Sequence, residues 1–572
     1  MPLYMKDVIL QVLEKIIGGD VVVELSVPEE LAFGHYATNV AMRLAKVRGK
    51  KPMELAQELA AEISAKAPAG FFEKVEAAAP GFVNFWLSRE TIRSAFQEIA
   101  RDEHYGRSDA LAGKLIMVEF TDPNPFKLFH IGHLMSNTIG ESFARLHESA
   151  GAKVRRANYY GDIGLHIAMS VWGMMQSSAE MPRDDEAPEK KMEFLGRAYA
   201  IGAKAHKESP EAAATIGEIN KKIYERNDVK INEFYDKGLA WSLAYFETIY
   251  QRLGTKFDDY FPESTVAQAG LELVRAHADV FVESDGAIIF PGEKYGLHTR
   301  VFVNSQGLPI YEAKELGLNK KKFDLYPLDL SVVVTGKEIE DYFKVLLKAM
   351  ELTIPDVAAK TRHAPHGMLR LPSGKMSSRT GDVVTADMLI DQAKESIREK
   401  MSDKIEMSAG EKEGVVEAVA IGALKYSILR QSPGQDIIFD FEKSLSFEGD
   451  SGPYIQYTHA RLESILRKAG GGKANEKNNF NELGSEVELA LARKIFEFSD
   501  VVAHAREKLM PSGVVNYLYK LAVAANKFYE TTPILKDENA ARRAARLALV
   551  AVAARTLRAG LALLGIQAPE KI

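Results

Sequence analysis

Cysteine is absent from all 572 residues. That excludes disulfides, thiolate zinc sites and cysteine nucleophiles together, so no structural zinc is expected. Long apolar runs are absent as well. No window reaches the roughly 20 uninterrupted apolar residues that a membrane helix needs. The Ala/Leu-rich stretch from Leu547 to Ile566 comes nearest, and Arg555 and Arg558 interrupt it. The N-terminal stretch carries acidic residues at helical spacing and lacks the basic opening and small-residue cleavage site of a secretory leader. A cytoplasmic protein without a membrane partner is therefore expected. Excess positive charge is lacking too, the net charge being −6. This argues against a histone-like coat on a polyanion but leaves room for a local basic surface that binds nucleic acid.

What is present is enough apolar residue for a large core: 46% hydrophobic against 27% charged. At roughly 100–200 residues per domain, three to five domains are expected. Residues 1–108 read as a separate α+β domain, with helices broken at the basic turn Val47–Pro52 and two short strands around the Pro80-Gly81 turn. Residues 109–385 open with a buried-strand pattern at 114–120, a Pro/Asn loop, and a helix from about His130. Within them a charged helical insertion spans about 177–250, and strand-like runs return at 286–290, 300–304 and 331–336. From about 386 the pattern is helical, with a linker at 386–445 and a helical region at 446–572 that includes a Gly/Asn-rich surface loop at 470–484. The fold class this predicts is an α/β Rossmann-type parallel-sheet domain, flanked by an N-terminal α+β domain and a C-terminal all-α bundle.

Two motifs carry chemistry. His130-Ile131-Gly132-His133 follows the strand and opens the helix. A helix N-terminus presents free N–H groups and a positive dipole end to phosphates. Gly132 lets a flat adenine or ribose approach the backbone, and two imidazoles can donate to phosphate oxygens that gain charge. A metal pair or ordinary surface histidines remain alternatives, although a helical metal pair prefers i, i+4 to the i, i+3 found here. The second motif is Gly374-Lys375-Met376-Ser377-Ser378-Arg379-Thr380-Gly381. A lysine on a glycine-flanked loop can close over a triphosphate. Alone, such a sequence is also a common surface loop.

In this order, roughly 245 residues apart, the two resemble the HIGH and KMSKS signatures of class I aminoacyl-tRNA synthetases. The resemblance implies ATP, with accompanying Mg²⁺, bound by His130, Gly132, His133, Gly336, Met368, Lys375, Ser377 and Ser378. His130, His133 and Lys375 would be catalytic, and no protein-held metal is implied. Arg379 stands near where the consensus ends in Lys-Ser.

A finer resemblance, to arginyl-tRNA synthetases, covers nearly the whole chain. The run Val118 to Lys127 (VEFTDPNPFK) looks like the family's E-F-S-S-P-N-x-x-K stretch, whose glutamate and asparagine contact substrate arginine; here they are Glu119 and Asn124. Carboxylates suit a guanidinium, which they grip in bidentate fashion. Tyr311 to Glu315 resembles the family's Y-x-x-x-D segment, with Glu315 for aspartate, which assigns Tyr311 and Glu315 to the amino-acid pocket. Ile339 stands where the family often has glutamine, and Gly161-Asp162-Ile163-Gly164 resembles its G-D-W-G turn with the tryptophan replaced. His366-Gly367-Met368 resembles the segment whose backbone holds adenine.

The ends resemble the family's tRNA-binding domains. Phe82 can stack on an unpaired base and Asn84 can read its edge; a plain strand face gives the same alternation. Tyr454, Tyr457 and Arg461 combine stacking faces with a phosphate-pairing cation, and Asn526 and Tyr529 are further candidates. A Tyr/Tyr/Arg set at i, i+3, i+7 is equally an ordinary helix face with a snorkelling end. The resemblance implies L-arginine, ATP and tRNA(Arg) as partners, and a monomer. The rivals are a class I synthetase for lysine, a small-molecule nucleotidyltransferase, and a non-catalytic tRNA-binding relative.

Overall fold

In the computed structural model, residues 5–19, 21–28, 30–370, 384–401, 407–432, 434–470 and 480–572 are described. The apolar run expected at 114–120 forms β1 (Leu115–Glu119), the centre of a five-stranded sheet. With β2 (Lys153–Tyr160), β3 (Asp259–Pro262), β4 (Leu330–Gly336) and β5 (Thr361–His366), the spatial order is 5-4-1-2-3, and every neighbouring pair is parallel. This is the doubly wound order, whose switch point lies between β1 and β4. Parallel strands are buried on both faces. Met117, Val118, Val332 and Val333 are accordingly inaccessible to solvent.

The helix expected from about His130 is α1 (Ile131–Glu148). It lies close against the strand it follows: a Cβ on Gly140 would land 2.2 Å from the Phe120 ring. No side chain larger than hydrogen fits there without moving the helix. The insertion between β2 and β3 is helical, at Pro188–Glu208, Pro210–Glu225 and Val229–Leu253. The strand-like runs at 286–290 and 300–304 do form strands, but not in the parallel sheet. With Val282–Ser284 they make a separate antiparallel sheet. The tight turn at Asp285-Gly286 dictates this, because both residues sit at positive φ and reverse the chain directly. A second helix, α2 (Tyr311–Leu325), then returns to the sheet.

The chain divides into two units: Met1–Tyr105 with Thr458–Ser499 and Lys520–Leu557, and Gly106–Tyr457 with Asp500–Tyr519 and Arg558–Ile572. The first contains the expected hairpin, Phe72–Ala78 paired antiparallel with Phe82–Leu87, and the two expected helices, Val40–Arg48 and Pro52–Lys66. Those helices separate at Gly49, which adopts the left-handed conformation just before Pro52 begins the next helix. No helix among the described residues is long and apolar enough to cross a membrane.

Candidate active site

A cavity of about 390 Å³ opens at the C-terminal ends of the parallel strands, where ligands enter open α/β sheets. Glu119, Asn124, His130, Gly132, His133, Tyr311, Glu315 and Gly336, all singled out from sequence, line it together. Lys375, Ser377 and Ser378 lie outside the described residues. Met368 is not part of this lining. Its N–H donates to Asp436 Oδ1 at 3.0 Å and its carbonyl accepts from Ile437. The adjacent His366 does reach the cavity.

The histidine motif is a helix cap. His130 is the N-cap of α1, and its Nδ1 accepts the Gly132 N–H at 3.1 Å. His133, three residues on, accepts the His130 main-chain N–H on its own Nδ1 at 3.2 Å. This is the reciprocal logic of a capping box, carried by two imidazoles. An Nδ1 that accepts a hydrogen bond leaves the ring proton on Nε2. Each neutral ring therefore keeps its Nε2–H as a donor. Burial, helped by Lys127, pushes His130 down to about 4, and it holds His133 well below the usual histidine range. At neutral pH both are uncharged donors.

The loop leaving β1 is strained. Thr121, Asp122 and Phe126 all adopt positive φ, at 82°, 48° and 66°. Each such non-glycine residue costs roughly 1–3 kcal/mol and persists only where its surroundings fix it. They are fixed here. Ser136 Oγ accepts the Thr121 N–H at 2.9 Å, and Asn137 Nδ2 donates to Thr121 Oγ1 at 3.0 Å. Ser242 Oγ takes the Phe126 N–H at 2.9 Å. Ser136 and Asn137 lie on α1, one turn past His133, so the helix that aims the histidines also holds the loop that presents Asp122 and Asn124.

The far wall is acidic. Glu119 pairs with Lys322 at 2.5 Å, with neither residue more than 1% exposed. Glu263 pairs with Lys314. Glu315, on α2, takes a hydrogen bond from Tyr311; burial, reinforced by Glu119, pushes its carboxyl up to about 8. Sequence reasoning missed Asp122, Glu263, Lys314 and Lys322. Lys314 and Lys322 lie one and three helical turns along α2 from the tyrosine and were legible as a charged stripe. Glu263 gave no signal.

The family model for the class I (R) tRNA synthetase catalytic domain matches residues 96–441. The arginyl-tRNA synthetase N-terminal domain matches 4–87, and the DALR anticodon-binding domain matches 455–572. The chain is 32% identical to the arginine–tRNA ligase of Clostridium acetobutylicum, over 99% of this chain and all of that one. The chain belongs to the arginyl-tRNA synthetases. It is 31% identical to the Clostridium perfringens arginine–tRNA ligase, covering 96% of each. The solved arginyl-tRNA synthetase of Thermus thermophilus superimposes with a TM-score of 0.83 at 26% identity, covering 99% of both chains.

The synthetase's sequence-derived RNA candidates are divided by exposure. Phe82 is half-buried, whereas Asn84, in the middle of its strand, is buried. Arg461 Nη1 donates to Asn526 Oδ1 at 2.7 Å, and Asn526 Nδ2 donates to Thr458 Oγ1 at 2.9 Å. Asn526 is therefore buried in an internal network. Tyr529 is exposed, with the Arg461 guanidinium 5.3 Å from its ring centroid. Tyr457 is exposed, and Tyr454 packs 6.0 Å from Tyr519.

Proposed function

We propose that this enzyme activates L-arginine with ATP and transfers it to the 3′ end of tRNA(Arg), with the roles of its residues as follows. The arginine carboxylate attacks the α-phosphorus; a C–O–P bond forms, the Pα–O bond to the β-phosphate breaks, and pyrophosphate leaves. The Nε2–H groups of His130 and His133 donate to the phosphate oxygens, and Lys375 neutralises the leaving charge. A terminal ribose hydroxyl then attacks the activated carbonyl carbon and AMP departs. Positioning and charge stabilisation carry both steps, without a covalent nucleophile. Mg²⁺ would accompany the ATP phosphates and offset their charge; no residue of this chain is assigned to hold it. Gly132, Gly336, Met368, Ser377 and Ser378 accompany ATP.

Glu119, Asn124, Tyr311 and Glu315 form the arginine pocket. The observation that carries this reading is the convergence of a capped, neutral histidine pair and a carboxyl-rich wall on one cavity. Residues 1–108 are assigned to the tRNA elbow, 386–445 to the stem and 446–572 to the anticodon. Phe82, Tyr454, Tyr457, Arg461 and Tyr529 are the RNA contacts, with Asn526 holding Arg461 in place. The enzyme acts as a cytoplasmic monomer.

ATP–pyrophosphate exchange with each amino acid singly, with and without tRNA, tests the reading. Exchange with arginine alone supports it. Exchange with lysine would keep the reaction and reassign the pocket, and none under any condition would remove the activity.

A further inference from the structure

The acidic wall contains an acid that the family resemblance does not assign. Asp122 stands where the resembling stretch has a serine, and it lines the cavity. Its Oδ1 is fixed by the Tyr159 N–H at 2.9 Å, and positive φ at both Thr121 and Asp122 turns the loop into the cavity. Its second oxygen accepts no hydrogen bond among the described residues.

The charges around it do not balance. Glu119 is matched by Lys322 and Glu263 by Lys314. Among the described residues neither Asp122 nor Glu315 forms an ion pair; Lys322 acts on both but is paired with Glu119. Glu315 Oε2 is buried without a hydrogen-bond partner, in a residue only 1% exposed. Glu338 is a further carboxyl in the cavity lining. The tyrosine neighbours are Tyr159 on β2, Tyr311 on α2, Tyr250 on Val229–Leu253 and Tyr342 on Glu340–Thr353. Burial holds all four hydroxyls above their usual range, so they stay neutral. The histidine pair in the same cavity is neutral too. Among the described residues, Asp122 and Glu315 thus share only the field of Lys322, a cation that Glu119 already engages.

We propose that Asp122 is a further specificity-determining residue of the amino-acid pocket: together with Glu315 it favours a cationic side chain over a neutral one of the same shape, and the pair sheds a proton as that cation enters. The proposal rests on the arginine reading above. Burial, with Glu119 and Glu315 adding to it, holds the Asp122 carboxyl well above the usual range, in keeping with a proton resident in the empty site. The step balances simply. Arginine enters with its guanidinium protonated, the carboxyl pair gives one proton to solvent, and the guanidinium takes over the compensating charge. Citrulline, the neutral isostere, brings no charge and displaces no proton.

The test is titration calorimetry of the full enzyme with tRNA present, at pH 7, in phosphate and in Tris. Their different ionisation enthalpies report the proton count. Wild type is expected to release roughly one proton per arginine and none with citrulline. Asp122→Asn keeps an oxygen for the Tyr159 N–H. It should release clearly less and bind arginine about 10–100-fold more weakly, as loss of a charged hydrogen bond does, with citrulline affinity unchanged. Asp122→Ser is the second variant and should behave alike; it guards against a folding defect in the first. An unchanged proton count or an unchanged arginine affinity in these variants would overturn the proposal. If wild type bound no arginine at all, the arginine reading itself would fall.

Discussion

His130 and His133 stack with ring centroids 3.6 Å apart, and the main-chain N–H of His130 is held by Nδ1 of His133. One imidazole thus serves two purposes, capping a helix with Nδ1 and presenting a donor with Nε2. Substitutions can separate the two. Asparagine at 133 retains an acceptor that can reach the His130 N–H but has no donor at the Nε2 position. His133→Asn is expected to lower kcat by about 10²–10³-fold while leaving the thermal midpoint nearly unchanged. His133→Ala should show the same kinetic loss and a further destabilisation of about 1 kcal/mol from the lost cap. Calorimetry and pyrophosphate exchange on both variants check this.

The buried histidines make the fold acid-sensitive in a defined window. His35, His130, His166 and His363 are each pushed to about 4, burial being the first cause for all four. An unfolded histidine titrates near 6.5. Where the folded value is depressed, the unfolded chain binds more protons, so stability is fully present above about 6.5 and falls as pH drops towards 4. Denaturant midpoints at pH 7, 6 and 5 should decline steadily, before most carboxylates begin to protonate. A flat response across that range would show that these rings accept protons without unfolding.

Much of this was legible in the chain itself. The apolar run ending at Glu119, the Pro/Asn loop and the histidine motif place strand, turn and helix in succession, because buried parallel strands and helix caps are local patterns. The separate antiparallel sheet at 282–303 was not legible as separate. Its strands have the same apolar composition as a core strand, and only the tight turn at Asp285-Gly286 sets them apart. The Lys322 partner of Glu119 was hidden for a different reason. Two charged residues more than 200 positions apart carry no mark of pairing until the fold brings both to full burial. Asn84 and Asn526 illustrate the converse: a polar residue beside aromatics reads as an RNA contact, but burial depends on what packs above it.

The Glu119–Lys322 pair yields a thermodynamic prediction. Both partners are removed from solvent, so deleting one leaves a buried charge uncompensated. Lys322→Met is expected to cost about 3–5 kcal/mol. The double variant Glu119→Gln/Lys322→Met should recover part of that loss, since a neutral pair has no desolvated charge to satisfy. Urea unfolding of the four proteins of the cycle gives the coupling directly. A double variant no more stable than Lys322→Met would mean that shape, rather than charge, governs this site.

The helix that begins with the histidines ends by gripping the end of the chain's last helix. Ser142 Oγ donates to the Leu563 carbonyl at 3.1 Å and Arg145 Nη1 to that of Ala562 at 3.1 Å. Lys425 Nζ donates to the carbonyls of Gly565 and Leu253 at 2.7 and 2.6 Å. Those carbonyls lie at helix ends, where cations are favoured. Arg145 is also held by Glu141 at 2.7 Å, so its guanidinium is aimed before it bonds. Arg145→Met keeps much of the aliphatic stem and removes the donors. It should cost about 1–3 kcal/mol, the range for a hydrogen bond from a charged group. It should also raise amide hydrogen exchange in residues 560–572 while leaving β1 and β2 as protected as before. Equal loosening of the sheet would show that Arg145 supports the core as a whole and does not act as a local clamp on the last helix.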